Sequence, residues 1–149
     1  MKRILYFCII ILLINPIFSF SKETKKVNPI LDSISGHYAE CAAYFTIVYH
    51  GMVSSNELAA AANYGQLQEA AINYALQLAL EGRTIEMAAE VTKSRMEMYM
   101  KKMKEEAGND NANISILINK YHFRCKEALE NPENYIRQSK EKLEKKSKN

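Results

Sequence analysis

The chain has 149 residues, 48% of them hydrophobic and 25% charged, with a formal net charge of +3. That is enough for one domain with a real core but too little for two. So small a charge, which falls to +1 once Lys2 and Arg3 are removed, excludes the basic footprint of a nucleic-acid-binding protein.

The first 21 residues read as an address. Met1-Lys2-Arg3 is a short basic start, residues 4–14 are an unbroken apolar run of eleven, and Asn15-Pro16 ends it. Ser19 and Ser21 then supply small residues two apart, as a signal peptidase requires. The run is well short of the about 20 apolar residues a spanning helix needs. Cleavage is expected after Ser21, which leaves no stable membrane anchor and places the protein in a periplasmic or extracellular space. Such a compartment is oxidising, so cysteines are disulfide candidates first.

Residues 22–32 are expected to be flexible, with Pro29 starting ordered structure. From about Ser33, Ile34, Tyr38, Cys41, Phe45, Val48 and Met52 step by four and three, which is one face of a helix. Ser54 with Glu57 reads as a capping box that opens a second helix over 56–81. Asn63-Tyr64-Gly65 is expected to kink that helix, and Gly82 to close it in a left-handed cap. Thr84 caps a third helix, with Glu86 in its first turn, and Gly108 ends it. Residues 109–113 are a loop in which Asp110 or Asn113 caps a fourth helix. That helix carries Ile114, Ile118, Tyr121, Cys125 and Ala128 on one stripe. Asn131-Pro132 is a cap followed by proline at the first helical position, opening a charged fifth helix to about Lys145.

No run alternates long enough for a strand. The expected fold is all-α: an up-down bundle of four main helices over 33–131, and a charged C-terminal helix over 132–149. Residues 27–136 hold nine Lys/Arg against fourteen Asp/Glu, whereas 137–149 hold six against two. The body is acidic and the tail basic.

Cys41 and Cys125 are the two cysteines outside the signal segment, and each lies on the apolar stripe of its helix. In an up-down bundle the first and fourth helices are antiparallel neighbours. At ~1.5 Å rise per residue the two cysteines fall at nearly the same height. A disulfide between them would close a loop of about 84 residues and contribute roughly 4–5 kcal/mol. His37 stands four residues before Cys41 and His122 three before Cys125, so a Cys₂His₂ zinc set is the competing reading. Metal and disulfide exclude each other, and the export signal favours the disulfide.

Met96, Met100 and Met103 continue a stripe from Ile85, Ala89 and Thr92. Core packing is the leading expectation; a groove for a partner helix or apolar ligand, or a Cu(I) site, are the alternatives. The chain has nine tyrosines and no tryptophan. Their hydroxyls are expected to reach the surface, with Tyr44 and Tyr49 forming an exposed aromatic patch. His37 and Glu40 are a possible acid/base pair. There is no His-Glu-x-x-His, no Gly-x-Ser-x-Gly and no phosphate-binding glycine loop. These observations predict an exported, non-enzymatic, disulfide-stapled protein that needs no cofactor and binds a protein or envelope partner. The expected partner surfaces are Tyr44 and Tyr49 together with the tail residues Arg137, Lys140 and Lys145. A metal-binding protein is the alternative.

Overall fold

Asn28-Pro29 opens the first helix. The Asn28 side chain accepts from the backbone N–H of Ile30 and Leu31, at 3.0 and 3.3 Å, and Pro29 takes the first helical position, where no N–H is needed. Helix α1 therefore spans Pro29–Ser54: order begins at Pro29 as expected, but as helix, four residues before the expected Ser33 and inside the 22–32 stretch read as flexible. The computed structural model describes residues 26–109 and 113–147; residues 1–21, where a signal peptide is expected, and the candidate cap Asp110 lie outside them. Helices α2 (Leu58–Ala79), α3 (Ile85–Glu106), α4 (Ile114–Glu130) and α5 (Pro132–Ser147) follow, with no strand among the described residues. The fold is an all-α bundle.

Helix α1 is buried on more than one stripe. Ile34, Ser35, Gly36, Tyr38, Ala39, every residue of 41–45, and Val48 are buried. A helix apolar on all sides belongs in the middle of a protein, and α1 packs against each of the other four helices. Its small residues let those neighbours approach closely. Ser35 Oγ donates to the Ala75 carbonyl at 2.8 Å, and Tyr38 stacks on Tyr74 with centroids 5.1 Å apart. Phe45 meets Tyr64, so the numbering on α2 falls as that on α1 rises and the pair is antiparallel. Tyr38 OH donates to the Ala128 carbonyl at 3.0 Å, while Cys41 bonds to Cys125. Helix α4 is therefore antiparallel to α1 as well. After the break at Asn131-Pro132, α5 continues in that sense and lays Tyr135, Ile136 and Leu143 over Ile34 and Tyr38.

The turns follow backbone chemistry. Gly82 and Gly108 take positive φ (86° and 69°), as left-handed helix ends require. Thr84 Oγ1 accepts from the Met87 N–H at 3.3 Å and caps α3. The capping box at Ser54 does not form. Ser54 is still helical and its hydroxyl donates to the His50 carbonyl, while Asn56 makes the turn at φ 60°. Asn tolerates that conformation better than most residues. Asn113 likewise turns away from its expected cap and donates to the Ala107 carbonyl. Helix α2 runs through Gly65 without interruption; Gly65 lies under the Tyr49 ring, and a Cβ added there would sit 3.5 Å from it.

One end of the bundle is clamped by charge. Asp32 of α1 pairs with Arg83 and with Arg95 of α3, each at 2.7 Å. Arg95 also donates to the Asp32 carbonyl and to Ser35 Oγ. Burial raises the Asp32 pKa, but the hydrogen bonds from Arg95 and Arg83 more than offset it and hold the carboxyl below 3.8. The clamp's contribution is thus complete above the unfolded value near 4 and is lost as pH falls through the lower folded value. In Asp32→Asn, melting temperatures at pH 6 and pH 3 should therefore lie closer together than in the parent; an unchanged gap would show that the clamp is not the titrating element.

The disulfide joins the centre of α1 to α4, with Cα atoms 5.3 Å apart and 84 residues between the cysteines. Its removal frees the unfolded chain. Cys41→Ser should be about 4–5 kcal/mol less stable than the oxidised parent and melt roughly 15 °C lower by calorimetry; an unchanged melting curve would contradict the staple.

Candidate functional site

Two places in the bundle gather functional side chains: the surroundings of the disulfide, and a groove between α2 and α3.

Both cysteines are fully buried. Their sulfurs bond to each other, so in this state neither is a thiolate ligand. His37 lies beside them, with Nε2 3.6 Å from Cys41 Sγ and Nδ1 3.6 Å from Glu40. The His37 ring stacks on Tyr135 of α5, with centroids 5.2 Å apart. Arg124 holds Glu40 at 2.8 Å and places its guanidinium over the Tyr121 ring. Burial pushes the Glu40 carboxyl up, and the His37 and Arg124 contacts bring it below 4.5. The acid/base pair read from the sequence therefore meets in space. Both imidazole nitrogens, however, face inward, toward Cys41 and Glu40.

His122 goes elsewhere. Its Nδ1 is 3.2 Å from Tyr44 OH, and its ring faces Tyr44 and Tyr64. The four-ligand set His37, Cys41, His122 and Cys125 is thus not assembled: only the first, second and fourth have ligand atoms within 4.8 Å of one another. The three-residue step from His122 to Cys125 rotates the imidazole onto the α2 side of α4, away from α1's His37. The exposed aromatic patch is also overturned. Tyr44 is fully buried, because α1 has neighbours on every side, and Tyr49 is half-buried against Gly65 and His50. Tyr38, Tyr44 and Tyr121 satisfy their hydroxyls inside the protein, on Ala128, His122 and Glu106 respectively. Burial raises the Tyr38 and Tyr44 pKa values, and neighbouring tyrosines add to the effect.

The methionine stripe divides. Met103 is fully buried in the main core. Met96 and Met100 are partly buried and line an open groove of about 260 Å³ with Ile72 and Leu76 of α2 and with Ala89 and Thr92 of α3. Met98 faces solvent, and Ile85, expected on the core stripe, is 68% exposed; Ala88 takes that place. Lys93 and Glu97 form the groove's charged rim, 3.9 Å apart and well exposed. Thr92 is buried, yet its hydroxyl finds no hydrogen-bond partner among the described residues. Ile72 and Leu76 were not singled out in the sequence. Their i,i+4 spacing was the available signal.

On α5, Arg137 is engaged by its own helix: it donates to Asn134 at 2.7 Å and pairs with Glu141. Lys140 and Lys145 are exposed. No helix among the described residues is long and apolar enough to cross a membrane. No protein-family model matches the chain, and no curated protein or solved structure is detectably similar to it.

An orphaned buried hydroxyl costs about 1–3 kcal/mol, and an apolar group of the same shape removes that cost. Thr92→Val should therefore raise stability by about 1 kcal/mol in denaturant unfolding. A loss would show that the hydroxyl is satisfied.

Proposed function

We propose that this is an exported, disulfide-stapled, non-enzymatic protein that binds a protein partner by receiving an amphipathic helix between α2 and α3. The observation that carries this reading is the groove itself. Both walls are helices that present apolar side chains at i,i+4: Ile72 and Leu76 on one, Met96 and Met100 on the other. That is the helix-in-groove mode of recognition, in which a docking helix seats an i, i+3/i+4, i+7 stripe. From Ala89 to Met100 the α3 wall is about 16 Å long at the helical rise, the length of three turns. Methionine walls adapt to the partner's side chains. The opposite charges of Lys93 and Glu97 at the rim favour a partner that carries the complementary pair. Thr92 adds a polar group that stability alone would replace. The disulfide and the basic-apolar leader support the exported setting.

A photo-crosslinking residue placed at Lys93 in the full chain tests this in the producing cell. The expected product is an adduct to another protein, through a segment with apolar residues at helical spacing. It should be lost when Met96→Lys is added, and should not form from the same crosslinker at exposed Phe123. An adduct that persists with Met96→Lys, or one formed only with a second copy of this chain or with lipid, would overturn the reading.

A further inference from the structure

We propose that the reduced chain is a zinc-type metal protein whose ligands are His37, Cys41 and Cys125, so that one cluster alternates between a covalent staple and a metal staple. The inference does not depend on the groove. It rests on how His37 is held beside the two sulfurs.

The three ligand atoms already lie within 4.8 Å of one another, on two helices whose backbones are set by the core. Zinc binds sulfur at about 2.3 Å and imidazole nitrogen at about 2.0–2.1 Å, so a nitrogen and a sulfur on one tetrahedral ion stand about 3.6 Å apart. The distance from His37 Nε2 to Cys41 Sγ is 3.6 Å. The second observation is the far side of the ring. Metal-bound histidines commonly donate their other N–H to a carboxylate, which fixes the tautomer and aims the free lone pair. His37 has the partner for that arrangement: Nδ1 stands 3.6 Å from a Glu40 oxygen, just beyond hydrogen-bond length, and Arg124 anchors that oxygen at 2.8 Å. A proton on Nδ1 leaves the Nε2 lone pair directed at the sulfurs. Tyr135 holds the ring from its face.

The chemistry balances. A small dithiol reduces the Cys41–Cys125 bond, delivering two electrons and two protons; two cysteine thiols form and the dithiol leaves as its cyclic disulfide. A divalent ion then displaces the two thiol protons to solvent, and its charge is neutralised by the two thiolates. Three protein ligands leave the fourth position to water. Before oxidation, in a reducing compartment, the cysteines are free. The metal would then cross-link α1 and α4 where the disulfide later does.

The test uses the full chain after reduction under anaerobic conditions. Co(II) is titrated in as a spectroscopic probe, and Zn(II) then competes with it, while far-ultraviolet circular dichroism follows the fold. Expected are one equivalent of Co(II), thiolate-to-cobalt charge-transfer absorption with four-coordinate ligand-field bands, and displacement by Zn(II). His37→Gln should weaken binding by more than tenfold and Glu40→Gln by about tenfold. His122→Gln, which alters a nearby histidine outside the cluster, should leave it unchanged. Three results would overturn the proposal: no charge-transfer band from folded reduced protein, equal affinity in His37→Gln, or a reduced chain that stays unfolded with Zn(II) present.

Discussion

Over 34–45, α1 exposes almost no side chain to water, and the other helices are arranged to satisfy that constraint. A helix with apolar residues on every side cannot lie on a surface, so it becomes the axis against which α2, α3, α4 and α5 pack. Its Ser35, Gly36, Ala39, Ala42 and Ala43 are small enough for close approach. Its tyrosines are not, and their hydroxyls must find partners inside. Tyr38 and Tyr44 do so on α4, at Ala128 and His122. Charge fixes the rim of the same packing: Asp32 ties α1 to Arg83 and Arg95, and Glu106 of α3 accepts from Tyr121 and Lys120 of α4. The disulfide pins the axis to α4 near the middle of its length.

A central helix leaves its satellites with less to bury against one another. Helix α2 uses its best face, Ala71, Ala75 and Ala79, on the axis. Helix α3 uses Ala88, Thr92 and Met103. What remains between them is the rim of both faces, Ile72 and Leu76 opposite Met96 and Met100, and there the outer layer is open. The groove is therefore a consequence of the architecture. Its α3 wall carries flexible methionine at Met96 and Met100, beside Thr92.

The His37 cluster is a different kind of feature. It lies where the axis, α4 and α5 meet, its sulfurs fully buried and its histidine held by Glu40 and Tyr135. Helix α5 covers it by packing mainly on α1 and α4. The charged tail thus has a structural role, through Tyr135 and Leu143, alongside its exposed lysines.

The secondary structure and the staple were legible in the sequence because they depend on local rules. Helical periodicity marked five helices, Gly82, Thr84 and Gly108 marked their ends, and two cysteines on facing stripes marked the Cys41–Cys125 bond. Misread turns failed for a local reason too: Ser54 and Asn113 had competing backbone partners within a few residues, His50 and Ala107, and Asn56 offered the left-handed turn instead. Azimuth around the helix axes was not legible. A stripe shows one face buried, but not that α1 has neighbours on its other faces, and so Tyr44 was read as exposed. Spacing to a cysteine placed His37 and His122 alike, whereas packing sent one to the sulfurs and the other to Tyr44. By itself the sequence determined the helices, their order and the covalent link, since these follow from periodicity, capping and chain reach. Only the tertiary structure decided which helix lies at the centre, where the outer layer stays open, and which histidine meets the disulfide. Those depend on how faces from distant parts of the chain share a single core.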